Sequence, residues 1–375
     1  MKRNYRYYGV LASLCALVGA VIFPVVAYAY SPTINEYTIP TSGSFDYDIT
    51  PGADGNLWFS ECIGNNIAKV TPSGAITEYP LLTSGSCPYG ITKGPDGNVW
   101  ATENDGNNIA KVTPSGNVTE YTIPTSSSGP SEITTGPDGN LWFTEEFGNN
   151  IGMVTPSGSF TEYTVPTSSA LPWGITTGSD GNLWFSEESA NKVGRITTTG
   201  TIDEFTVPTP SADPRSMTLG SDGNVWFSEG NAQKIAKITP SGVITEYSVS
   251  GSPDWLTTGP DGNVWFGMGL NTIGYITPTG AVTTTTTPTS DASVQGITVG
   301  PDHNIWFTEF DSNKIGQLIL PTPPVSPTVT TGIQAPNTGF GTPGNSDVLA
   351  ILAAAALPIA LVGAIYAYRR EPNRS

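Results

Sequence analysis

The chain has 375 residues and a formal net charge of −17, with only 13% charged residues beside 43 Gly, 32 Pro, 9 Trp and 15 Tyr. So acidic a surface repels nucleic-acid phosphates and anionic headgroups, which argues against a nucleic-acid partner. The wealth of turn formers and aromatics suits many short strands and argues against a mainly helical fold.

In chain order, the first element is an export signal. Lys2, Arg3 and Arg6 precede an apolar run over 9–26, and Ala27-Tyr28-Ala29 is a small-residue cleavage site. Residues 1–29 therefore read as a signal peptide cut before Tyr30, with an uncleaved membrane anchor as the alternative. Next comes an isolated strand candidate, INEYTIP, at 34–40.

One phrase then recurs. Asp-Gly-Asn turns, or their variant, begin at Asp54, Asp96, Asp138, Asp180, Asp222, Asp261 and Asp302, a spacing near 42 residues. Each is followed by an apolar-Trp core segment. A repeat of that length implies a stacked or radial architecture. A full unit, ITTGPDGNLWFTEEFGNNIGMVTPSGSFTEYTVPT at 133–167, holds four short strand candidates. Asp-Gly supplies the first hairpin turn, and Pro-Ser-Gly the turn between the third and fourth strands. The second strand is apolar on both faces, as a sheet covered on both sides requires. Four strands with neighbours on either face make a propeller blade. The seventh copy stops after its third strand, NKIGQLILP at 313–321, and INEYTIP supplies the missing fourth. The expected fold is all-β: a seven-bladed β-propeller over 30–320, closed by its N-terminal strand and monomeric.

The C-terminal region changes character. Residues 321–347 are rich in Pro, Thr and Gly and read as a linker. An uncharged stretch at 348–368 is long enough to span a bilayer, and the tail at 369–375 carries Arg369, Arg370 and Arg374. Within the linker, Ala335-Pro336-Asn337-Thr338-Gly339 resembles the L-P-x-T-G signal of sortase substrates, with Ala335 in place of Leu. That resemblance implies cleavage between Thr338 and Gly339 and transfer to the cell wall; a plain transmembrane anchor is the alternative. The expected location is the cell surface, with the propeller outside. The two tails hold six of the 15 basic residues and one of the 32 acidic ones, so the exported part is more acidic than the whole. Cys15 leaves with the signal peptide. Cys62 and Cys87 then stand in adjoining blades on one face and are expected to form a disulfide.

The repeat G-P-D-G-N-L-W-F-T-E, followed by N-K-I-G-x-I-T-x-x-G-x-I-x-E-Y, resembles the streptogramin (virginiamycin B) lyases. GSDGNLWFSEESANKVGRITTTGTIDEF at 178–205 carries the pattern, and the likeness extends over about 34–320. It implies a seven-bladed propeller that opens a cyclic depsipeptide at its ester by elimination, assisted by a metal ion such as Mg²⁺. The family's catalytic residues are implied in the loops entering the first strands, as P-H-A-I-T in blade six and E-P-H-G-I-T in blade seven. Here SPDWLT (252–257) and SVQGIT (293–298) stand there. The two histidines fall on Asp254 and Gln295, the glutamate on Ser293, and none is kept.

The residue before each G-I-T segment is expected at the axial mouth: Tyr47, Tyr89, Ser131, Trp173, Arg215, Asp254 and Gln295. Aromatic walls with opposite charges suit a glycan, peptide or small-molecule ligand; drift in a tolerant loop is the alternative. A second ring ends the second strands: Glu61, Glu103, Glu145, Glu187, Glu229 and Glu309, with Gly267 read in the blade-six place. Its carboxylates are read as structural acceptors for the following loop, or as cation ligands near the axis. His303, the single histidine, occupies a glycine slot in a turn and has no catalytic partner. The expected function is a surface-anchored binding propeller without catalytic residues. The alternative is a carbon–oxygen lyase or other hydrolase acting at the mouth, in which Asp254 is a weak base further depressed by Arg215.

Overall fold

A computed structural model describes residues 32–321. The segments read from sequence as signal peptide, linker with its 335–339 motif, 348–368 span and basic tail lie outside these residues. Among the described residues, no helix is long and apolar enough to cross a membrane.

Seven four-stranded antiparallel sheets form the fold. Blade three shows the plan: Pro130–Thr135, Leu141–Glu145, Asn150–Val154 and Phe160–Thr164, hydrogen-bonded in sequence order. First strands pack against first strands of both neighbouring blades around the whole circle, so they ring the axis. Second strands are buried from end to end, as Leu57–Glu61 and Leu141–Glu145 illustrate. Each blade thus supplies core to two neighbours, and seven apolar clusters alternate with the sheets.

The ring closes as the sequence implied. Thr33–Thr38 pairs antiparallel with Lys314–Ile319 and becomes the fourth strand of blade seven. Its chemistry matches the other fourth strands. Glu36 accepts from the Thr289 amide (3.0 Å) and hydroxyl (2.8 Å), as Glu204 does from Thr167 at 2.9 Å each. One fourth-strand carboxylate thus ties down an inter-blade loop in six of the seven blades, blade six having Thr284 in its place, and one of these ties joins the first described strand to the last blade.

The D-G-N turn is a small machine built once per blade. Its Asp accepts from the indole Nε1 of the Trp four residues on, at 3.1 Å for Asp138 and Trp142. The other Asp oxygen accepts from Asn140 at 2.8 Å. Gly136 lies so close to Trp142 that an added Cβ would stand 2.4 Å from the ring. His303 occupies the turn's left-handed position at φ 62°, where the other blades use glycine, and sits in blade seven's turn away from the mouth.

Candidate functional site at the axial mouth

The backbone of the mouth is held from behind by the preceding blade. The strand-two hydroxyl of Ser60 donates to the Tyr89 carbonyl (2.6 Å), Thr102 to Ser131 (2.6 Å) and Thr144 to Trp173 (2.7 Å). Several residues just before the first strands adopt left-handed backbone: Phe45, Cys87, Leu171, Asp213 and Ser293, with φ between 48° and 63°. Bulky residues rarely take that conformation, so the entry loops are held under strain.

Four aromatic rings meet across the axis. Tyr47 and Tyr89 lie 4.2 Å apart between centroids, Tyr89 and Trp173 6.1 Å, and Trp173 and Trp255 5.2 Å. Trp255 also reaches Tyr89 at 6.2 Å and donates its indole N–H to Gln295 Oε1 at 2.9 Å. Trp173 and Trp255 are buried. The expected stacking walls thus pack on one another and form a closed aromatic floor rather than a deep pocket. Phe310 extends this surface, 4.8 Å from Tyr47 and 4.7 Å from Phe45. Cys62 and Cys87 are joined by a disulfide on the same side.

The opposite side of the mouth is charged. Arg215 lies 3.2 Å from Asp213, 3.4 Å from Glu188 and 3.9 Å from Asp254. Burial works against its charge, but Asp254, Asp213 and Glu188 outweigh that and raise its pKa. Ser131 donates to Glu146 at 3.2 Å. Burial lifts Glu188 to about 7 despite Arg215. Asp254 corrects the sequence reading: burial raises it to about 6, and the nearby Arg215 offsets this only in part.

Four side chains sit one step further in, where the other three blades have glycine. Gly90, Gly174 and Gly296 are close enough to the next blade that a Cβ would stand 2.3–2.6 Å from a backbone oxygen. In the same slot stand Asp48, Glu132, Ser216 and Trp255, and Ser216 accepts from the Leu256 amide of the next blade at 3.0 Å. Asp48 binds the amides of Ile49 (2.7 Å) and Ile91 (2.9 Å), so it ties two blades together. Glu132 has a sealed Oε1 with no partner. Its pKa is driven well up by burial, then by the charges of Asp48 and Asp254. Sequence reasoning passed over Glu132 and Trp255 because the slot was read as scaffold; their departure from glycine was the available signal.

The strand-two glutamates belong elsewhere. Glu61 accepts from Asn66 (2.8 Å), Glu103 from Asn108 (3.0 Å) and Glu145 from Asn150 (3.1 Å), all on third strands. The fourth-strand Glu78 lies close enough to Glu61 to help raise its pKa. These carboxylates therefore face outward across the blade as acceptors for the residue that ends the following G-N-N loop, in line with the structural reading rather than with the alternative of an axial cation ring. In blade six, Met268 rather than Gly267 takes the carboxylate's place, since Met268 pairs with Pro253 as Glu145 pairs with Pro130. Counting seven residues from the turn Asp, as from Asp138 to Glu145, also leads from Asp261 to Met268; the blade-six loop that follows is one residue short. At the seam between blades one and seven, Asp46 replaces the usual Pro. It is fully buried with both oxygens unpartnered, and burial, aided by Glu61 and Glu309, raises it to about 8.

The site now has its geometry, and comparison with known proteins shows what it belongs to. The model of the virginiamycin B lyase family matches residues 25–252 and 175–322. The chain belongs to the virginiamycin B lyase family. Solved structures agree. A streptogramin B lyase is 37% identical, with a TM-score of 0.74 over 77% of this chain and 98% of that one. Virginiamycin B lyase from Staphylococcus aureus is 38% identical at the same TM-score, over 77% and 100%. A catalytically inactive His-to-Ala variant of the S. aureus enzyme, solved with quinupristin, is 37% identical, also at 0.74 over 77% and 100%. Comparison with curated proteins gives no match.

The donor set does not fit the divalent ion that the resemblance implies. Asp254, Ser293 and Gln295 stand at the three positions, and Gln295 Oε1 is taken by Trp255. Among the described residues, no group of three or more His, Cys, Asp or Glu side chains forms a metal site. Mg²⁺ asks for near-octahedral oxygen ligation, which this corner of the mouth does not assemble.

Proposed function

We propose that this member of the virginiamycin B lyase family is a surface-displayed binding propeller, which grips a ring-bearing ligand at its mouth without opening it. The observation that carries this reading is the floor of Tyr47, Tyr89, Trp173 and Trp255, flanked by charge on one side only. Rigid aromatic area with a few polar anchors suits binding. The positions of the family histidines hold Asp254 and a Gln295 already engaged by Trp255, which argues against acid–base work by that pair. The Cys62–Cys87 disulfide suits an oxidising compartment and supports export. Anchoring through 348–368, directly or after sortase processing at Thr338, completes the proposal. Intact mass of surface-released protein separates the two routes: a chain retaining 348–368 is a plain anchor.

The binding test is a titration of tryptophan fluorescence with quinupristin and with glycan and peptide panels. Saturable quenching that Tyr89→Ala weakens at least tenfold is expected. Quenching unchanged by Tyr89→Ala sinks the mouth as the binding place.

One observation favours a second reading, a lyase. With a pKa of about 6, Asp254 is ionised at neutral pH and a stronger base than a free aspartate. Turnover that Asp254→Asn abolishes would establish it.

A further inference from the structure

We propose that the mouth takes its ligand by an organic ammonium group, seated against the Tyr89 ring between the unpartnered oxygens of Asp254 and Glu132. This rests on reading the mouth as the ligand site.

The first argument is hydrogen-bond accounting. Asp254 Oδ1 and Glu132 Oε1 are both sealed from solvent, and neither has a donor. About a quarter of the Asp254 side chain remains open, and Glu132 is likewise only partly buried, so both side chains border the mouth even though these two oxygens are covered. Buried acceptors without donors are costly, and a ligand donor relieves that cost. An ammonium group carries three donors and no acceptor, which matches two orphaned carboxylate oxygens.

The second argument is charge. Arg215 is shared among Asp213, Glu188 and Asp254, and its reach to Asp254 is the longest of the three, 3.9 Å to Oδ2. It leaves Asp254 Oδ1 and Glu132 unanswered. Glu146, hydrogen-bonded to Ser131, adds to the excess. An anionic ligand would meet carboxylates on every side of a cation already engaged. A metal ion is the poorer occupant, since two oxygens are far short of what a hard cation requires.

The third argument is the wall. Tyr89 packs between Tyr47 and Trp173, and its pKa rises first through burial and then through Tyr47, Asp254 and Glu132. An electron-rich ring next to two carboxylates is the arrangement that holds an ammonium ion by cation–π and charge together. The carboxylates also couple binding to protons. Asp254 faces Arg215 and Asp213, and Glu132 faces Asp48 and Asp254. A bound cation favours their ionised forms, so protons leave as the ligand arrives.

Calorimetry on the purified full chain compares phenethylammonium with its neutral counterpart 2-phenylethanol, at pH 5 and pH 8. The cation is expected to bind at least about tenfold tighter at pH 8, a difference worth roughly 1.4 kcal/mol. The preference should shrink at pH 5, and heats in two buffers of different ionisation enthalpy should reveal proton release. Asp254→Asn and Glu132→Gln should each remove most of the preference. The wild-type pH dependence and proton release stand even if a variant fails to fold. Equal affinity for both probes, with binding lost in Tyr89→Ala, overturns the ammonium inference and leaves the mouth as a binding site. A cation preference unchanged in both carboxylate variants also overturns it. Failure of either probe to bind overturns the inference and counts against the binding reading as well.

Discussion

The two faces of the propeller are built from the same repeat and have been treated differently. On the turn face, one Asp–Trp hydrogen bond of 3.0–3.1 Å recurs in all seven blades. Both oxygens of each turn Asp accept hydrogen bonds within the turn, and the Asp pKa values that shift do so downward, against burial, through these hydrogen bonds. On the mouth face, equivalent positions hold Tyr, Ser, Trp, Arg, Asp and Gln. There, buried oxygens lack partners, carboxyl pKa values rise, and non-glycine residues adopt left-handed backbone. Uniformity marks the positions that hold the ring together. Unpartnered oxygens that recur blade after blade, as in the strand-two glutamates, belong to the repeat; those of Asp254 and Glu132, which do not recur, mark the positions available for a ligand.

The comparison breaks first if a turn-face residue proves dispensable. Trp142→Ala empties a fully buried indole site and orphans Asp138, so a loss of about 3–5 kcal/mol is expected in urea unfolding. A loss under 1 kcal/mol would mean that the repeated core is not what holds the blades. The disulfide is next. It closes a separation of 25 residues, and its removal by a double Cys→Ser change should cost about 3 kcal/mol by the chain-entropy account.

A pH effect then separates the strand-two carboxylates from the fourth-strand ones. Glu61, Glu103 and Glu309 are raised to about 7, and Glu145, Glu187 and Glu229 to about 8, from an ordinary 4.5, by burial first. Below pH 4.5 their contribution to stability is complete, because folded and unfolded forms are both protonated. As pH rises the unfolded chain ionises first, so stability declines until about pH 8. Glu36, Glu204 and Glu246 are lowered and act oppositely: their contribution fades as pH falls below 4.5. A melting temperature highest near pH 5 and falling toward pH 8 is expected. A rise over that range contradicts the assignment.

Asp46→Pro installs the residue used in blades two to six and removes a buried, unpartnered carboxyl at the seam. A gain of about 1–2 kcal/mol at pH 8, vanishing near pH 4, is expected from thermal melts. The smallest effect belongs to the mouth. Asp254→Asn should change stability by less than about 1 kcal/mol, since Asp254 serves the ligand rather than the ring.

Much of this was legible in the sequence. The blade count and the closing strand followed from one period and one missing segment. What was hidden depends on side-chain direction and on contacts across the axis. The strand-two glutamates share a position near the mouth, but their side chains run outward to Asn66 and its equivalents. Trp255 closes the floor because rings from blades one, two, four and six converge, and no spacing within a blade reveals that. Glu132 was concealed by a register that treated its slot as glycine. The pKa of Asp254 was misjudged because burial, invisible in sequence, outweighs the nearby Arg215.

The most direct measurement incubates the full chain with quinupristin, with and without Mg²⁺, and follows the compound by chromatography. Elimination adds no water, so an opened ring has unchanged mass but a different retention time. The account predicts that quinupristin elutes unaltered while tryptophan fluorescence reports saturable binding. A new peak that grows with time and disappears in Asp254→Asn would contradict it and make the mouth an active site.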